Sequence, residues 1–132
     1  MDTTKLLLGT LAGTVTSFLA GGLIFGFLLA NYMEANMEMS TNPNFVWILV
    51  GHIIMSFLIT YIFLQWAGIS TLVTGAKAGA LIGLLIALSY AAFLLAGTTV
   101  YSGIESALVD TLGNTIVWAA GGAGIGWYLG RK

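Results

Sequence analysis

Cysteine is absent from this chain, so disulfides, thiolate metal sites and cysteine nucleophiles are all excluded and the redox compartment is left open. Charge is scarce too. Only 7% of the 132 residues are charged, against roughly 25% in an ordinary soluble domain. Four cations placed at the ends of apolar blocks make no basic stripe, so nucleic acid is not an expected partner. The single histidine stands in HIIMS rather than in H-E-x-x-H, and G-x-S-x-G is missing. There is no aspartate-rich motif for a diphosphate and no pair of intramembrane carboxylates for acid–base work. One histidine without cysteine leaves no zinc ligand set within one chain. The expectation is therefore no enzyme, no catalytic residue and no resident metal.

What is present is apolar surface. Hydrophobic residues make up 58% of the chain, more than a water-soluble fold of this size can hide. They come in four blocks, Leu6–Ala30, Phe45–Trp66, Leu72–Gly97 and Ile104–Leu129. Each suffices to cross a ~30 Å hydrocarbon core, which takes about 20 residues. The sequence predicts an all-α, polytopic membrane protein of four transmembrane helices forming one domain over 1–132, with the bilayer as its first partner. The first block is too long for a signal-peptide core and is read as a retained span. Lys5, Lys77, Arg131 and Lys132 fall on one side, which places both termini in the cytoplasm. Glu34, Glu38, Glu105 and Asp110 fall on or near the other. Trp47, Trp66, Trp127, Tyr32, Tyr101 and Tyr128 sit near block ends as an aromatic belt requires.

The longest connection, NYMEANMEMSTNPN at 31–44, reads as a loop or a short interfacial helix. Asn42-Pro43 reads as an N-cap followed by proline at the first helical position. Ser102-Gly103-Ile104-Glu105 has the spacing of a capping box, which makes Glu105 a capping residue. Glu34 and Glu38, one turn apart, read as solvated surface, with weak cation capture as the sharper alternative.

Small residues are patterned. Gly9, Gly13, Ser17 and Gly21 match Gly79, Gly83, Ala87 and Ala91 at a constant offset, and with a different offset Gly51-His52 matches Gly113-Asn114 and Gly68 matches Gly130. The pattern suggests a duplicated helix pair related by an axis along the membrane normal, a parallel repeat. Between helices in lipid no hydrophobic drive operates, so small residues every four positions mark close packing. Gly75, Gly79, Gly83, Ala87 and Ala91 form the longest such row, and Gly122, Gly126 and Gly130 form another. The GGAGIG segment lacks the strand–turn–helix context of a dinucleotide loop and is read as packing surface.

On KLLLGTLAG, TGAKAGALIG and the G-H/G-N pair, the chain resembles the short bacterial inner-membrane proteins of uncharacterised function that carry two duplicated helix pairs. The resemblance covers nearly the whole chain and implies an inner-membrane location. The chain departs from the small multidrug-resistance transporters, whose resemblance would require a carboxylate in the middle of the first span.

Every block carries polarity at mid-depth. His52 and Asn114 fall at similar depth, with Asp110 one turn from Asn114, Ser56 and Thr60 on the face of His52, Thr10, Thr14 and Ser17 on the first span, and Ser89 on the third. An aspartate near a helix centre costs roughly 2.5–3.5 kcal/mol, so Asp110 is expected to face the interior, pairing with His52 and Asn114. For His52 the readings are structural hydrogen bonding, proton handling, or ligation of a cofactor such as haem; no cofactor is the expectation. Two functions are compatible with this pattern. The first is a scaffold or accessory subunit, packing as a homo-oligomer or within a larger complex through its glycine rows. The second is a small channel or proton-coupled carrier using an Asp110/His52/Asn114 cluster.

Overall fold

The structure is a computed structural model that describes residues 1–131; Lys132 lies outside the described residues. It is all-α. The helices are α1 (Thr3–Leu23), α2 (Ala30–Asn36), α3 (Phe45–Ile62), α4 (Leu72–Gly97) and α5 (Ile104–Leu129). Two π-helical turns, Ile24–Leu28 and Phe63–Ala67, extend α1 and α3. Three of these segments, Thr3–Leu28, Phe45–Ala67 and Leu72–Gly97, are long and apolar enough to cross a membrane.

α5 is as long as α4, at 26 residues, but carries Glu105, Asp110, Asn114 and several threonines and glycines. Its place in the fold accounts for this. α5 packs on α4 and α1 and touches α3, and it holds eleven buried residues against four in α4. Helices α1, α3 and α4 present Leu, Ile, Val and Phe outward, whereas much of α5 needs shape rather than oiliness.

Glycine sets the closest contacts. A methyl group built on Gly75 or Gly79 would overlap the carbonyl of Gly122 or Trp118, and one on Gly126 would overlap that of Thr71. Helices α4 and α5 thus meet backbone to backbone, the approach that small residues permit in lipid. Across α1 and α3 the row Gly9, Gly13, Gly21 faces Thr60, Ser56 and His52. Gly9 lies against Thr60, Gly13 against Ile125 and then Ser56, Gly79 between Trp118 and Gly122, and Gly83 against Trp118.

Helix ends depart from expectation where capping chemistry decides. Helix α3 starts after Asn44, whose side chain accepts from the Val46 N–H at 3.0 Å, so Asn42-Pro43 precedes the cap. Gly103 caps α5, and Ser106 rather than Glu105 completes the turn: its Oγ donates to the Gly103 carbonyl at 2.9 Å and accepts from the Gly103 N–H at 3.3 Å. Glu105 instead accepts from the Tyr32 hydroxyl at 3.1 Å. Gly68 ends the second π turn at φ +59°, which glycine adopts without strain. Gly130 is right-handed, so the Gly68/Gly130 match is not conformational.

The two ends of the molecule differ in charge. The contacts of Gly9 with Leu129 and of Gly126 with Thr71 bring the start of α1, the start of α4 and the end of α5 together, and with them Lys5, Lys77 and Arg131. At the opposite end the two connections pair. Met37 and Tyr101 form an isolated antiparallel bridge, Glu38 N–H donates to Val100 at 2.8 Å, and Ser102 N–H donates to Asn36 at 3.0 Å. Glu34, Glu38 and Glu105 cluster at this end.

Candidate functional site

The polar residues of the apolar blocks divide into two sites rather than one. In the first, on the α1/α3 interface, Ser17 Oγ lies 2.8 Å from His52 Nδ1. Ser17 is fully buried. The imidazole sits edge-on to Phe18 at 5.5 Å and tilts over Trp118 at 5.4 Å between ring centroids. Gly21 makes room for it, since a Cβ there would come 3.4 Å from His52 Nε2. One hydroxyl and two aromatic rings from α1 and α5 therefore fix the histidine. Around it Thr10 and Thr14 return their hydroxyls to carbonyls one turn back at 2.7 and 2.8 Å, as does Thr60 at 2.7 Å. Such bonds use the hydroxyl proton inside the residue's own helix. Ser56 is fully buried, and its Oγ has no partner among the described residues.

The second site is on the N-terminal half of α5. Asp110 Oδ2 accepts from the Tyr101 hydroxyl at 2.5 Å. Asn114 Nδ2 donates to the Asp110 carbonyl at 3.0 Å and to its Oδ1 at 3.4 Å. Tyr101 lies between the helices and is 8% exposed. Burial, then its hydrogen bond to Asp110 and the nearby charge, push its phenol above the ordinary range, so it keeps its proton and donates. No hydrogen bond among the described residues joins His52 to Asp110 or Asn114, and the expected Asp110–His52 pair is replaced by Asp110–Tyr101 and His52–Ser17. The cause is geometric: Trp118, one turn from Asn114, occupies the position against the imidazole.

Asp110 and Asn114 open onto a crevice of about 230 Å³ between α3 and α4, bordered by Met55, Ile86, Tyr90 and Trp118. Helix α4 packs closely on α5 alone. Deeper in the molecule the space between α3 and α4 is filled by side chains, with Ile59, Phe63 and Trp118 in a core against which Met55 and Ile82 pack. Toward the acidic end that filling stops and the crevice begins.

Ser89 belongs to neither site. It is exposed on α4 beside Leu85, Ile86, Tyr90 and Phe93, outside the interior assigned to it. Gly51 has open space around it, whereas Gly113 receives the Phe25 ring, a Cβ there falling 2.6 Å from Phe25 Cζ; the G-H/G-N likeness does not extend to their surroundings. Sequence reasoning misses Tyr101 and Trp118 as partners of the polar residues. It places Tyr101 in the aromatic belt and gives Trp118 no role, although a buried Tyr hydroxyl needs an acceptor and Asp110 is within reach. Among the described residues no group of three His, Asp or Glu side chains is placed to hold a metal ion. Compared with protein families, curated proteins and solved structures, the chain matches none.

Proposed function

We propose that this chain is a four-span protein of the bacterial inner membrane, with both termini cytoplasmic, which acts as a scaffold or accessory subunit by packing a helix of a second copy or of a larger complex over the crevice between α3 and α4, one side chain of that helix seated in it. The observation that carries the reading is the crevice itself. Asp110 and Asn114 border an opening toward the bilayer, where a polar side chain exposed to lipid is costly and a partner helix would cover it. The glycine rows, first expected to form the interface, do not support it. Gly75, Gly79, Gly83, Gly122 and Gly126 are spent inside the chain, so they build a rigid α4–α5 platform and the interface falls beside it. The fourth span is α5: 26 residues at about 1.5 Å each reach some 39 Å, enough for the hydrocarbon core, and Asp110 and Asn114 are the polar groups its neighbours leave at the crevice.

The carrier reading needs one Asp110/His52/Asn114 cluster. With these residues divided between two sites and the α1 threonines bonded within their own helix, packing has the greater support. Native electrophoresis and light scattering of the wild type in a mild detergent test the proposal against Asp110→Leu and Asn114→Leu. An assembly larger than one chain that the substitutions dissociate supports it. A wild type that is one chain in native membranes contradicts it.

A further inference from the structure

Three of the five methionines fall within seven residues, as Met33, Met37 and Met39, and all three line one pocket at the acidic end together with Phe25 and Glu34. The pocket measures about 300 Å³. Its construction starts in the local backbone. The π turn at Ile24–Leu28 and the break at Leu29 (φ −104°, ψ 4°) redirect the chain into α2. Met33 and Met37 are then one helical turn apart on one face. At Met37 the backbone becomes extended (φ −135°, ψ 146°), so the side chain two residues on, Met39, returns to the same side. The change of period at Met37 is what brings M-x-x-x-M-x-M to one place. Pairing of Met37 with Tyr101 and of Glu38 with Val100 and Thr99 holds the segment.

Packing explains only part of this. Met33 is 1% exposed and fills a gap as methionine does, but Met39 is 55% exposed at the mouth, where an apolar side chain gains nothing by burial. The chemistry the three share is a neutral, soft thioether, the ligand type that selects Cu(I) over hard or borderline ions. Glu34 lines the same pocket and offers one negative charge to one monovalent cation. Glu38 is turned to the Thr99 hydroxyl at 3.0 Å and is not part of the lining, so the Glu34/Glu38 pair read as a possible hard-cation trap does not form. We propose that Met33, Met37 and Met39 bind one soft monovalent cation, Cu(I), with Glu34 balancing its charge. The site stands independently of the docking crevice.

The test uses the full chain in detergent under anaerobic conditions, titrated with Cu(I) against a chromogenic Cu(I) chelator, and with Ag(I) as a redox-inert substitute. One equivalent per chain is expected, with sulfur dominating the metal's coordination shell in X-ray absorption. Met37→Leu/Met39→Leu should abolish that equivalent while its metal-free thermal unfolding matches the wild type, since both side chains are replaced at nearly constant volume. Glu34→Gln should weaken binding by about 10-fold, as expected for a group that tunes a site without ligating the metal. Retention of the full equivalent by the double variant, a coordination shell without sulfur, or no competition with the chelator by the wild type would each overturn the assignment.

Discussion

Ser17 on α1 and His52 on α3 are joined by a hydrogen bond of 2.8 Å, and the imidazole so held is flanked by Phe18 and Trp118. The rings therefore matter more than the hydroxyl. Ser17→Ala should cost about 0.6 kcal/mol, the average for a hydrogen bond between membrane helices. His52→Asn keeps a polar group but loses two aromatic contacts, at about 0.5–1.5 kcal/mol each. The asparagine variant should be the less stable of the two when unfolding is followed in mixed micelles, and the reverse order would refute the arrangement.

Glycines that look alike in the sequence should respond with opposite sign. Gly79→Ala drives a methyl group into the Trp118 carbonyl, and overpacking of this kind costs about 1–3 kcal/mol or more. Gly22 has open space on every side, so Gly22→Ala should gain about 0.5–1 kcal/mol from the reduced backbone freedom of the unfolded chain. Thermal unfolding of both variants in one detergent is the measurement.

The Tyr101 hydroxyl ties the outer connection to Asp110. Because its folded-state pKa is raised above the ordinary 10.0, the stability that this group contributes is fully present below pH 10.0 and is lost as pH rises toward the folded value. Tyr101→Phe should be less stable at neutral pH by about 1–3 kcal/mol, the cost of leaving a buried acceptor unpaired. It should also show a smaller alkaline loss than the wild type. Equal alkaline loss in both proteins would remove Tyr101 as its source.

Orientation can be read from labelling. Met39, Ser40 and Thr41 are exposed at the acidic end and Thr74 at the basic end, which makes them better probes than the buried Tyr101. Cysteine at residue 40 should react with an impermeant thiol reagent added outside intact cells, and cysteine at residue 74 only after permeabilisation. The opposite pattern would invert the topology.

Much of the architecture is legible in the sequence because apolar length and helix ends are local properties. The bounds expected for α4 and α5, 72–97 and 104–129, coincide with those in the structure. The glycine rows meet as their spacing implies. The polar sites are not legible, for a physical reason. A π turn breaks the regular helical repeat, and Phe25, whose ring meets Gly113, lies inside one, where helical periodicity does not apply. Depth can be counted along one helix, but rotation about its axis depends on neighbours. Ser89 lies on an exposed face, and His52 has a different partner. Tyr101 lies in a connection, where periodicity does not apply.

The docking crevice bears the functional account, and site-specific photo-crosslinking in native membranes tests it most directly. Ile86 borders the crevice, and Leu88, two residues on, points to roughly the opposite side of α4, about 200° around the axis. A photoreactive residue at 86 should form one discrete protein adduct, with a second copy of this chain or with one larger subunit, while the same group at 88 labels lipid. Lipid adducts alone at both positions would contradict the account, because the crevice would then face the bilayer unoccupied.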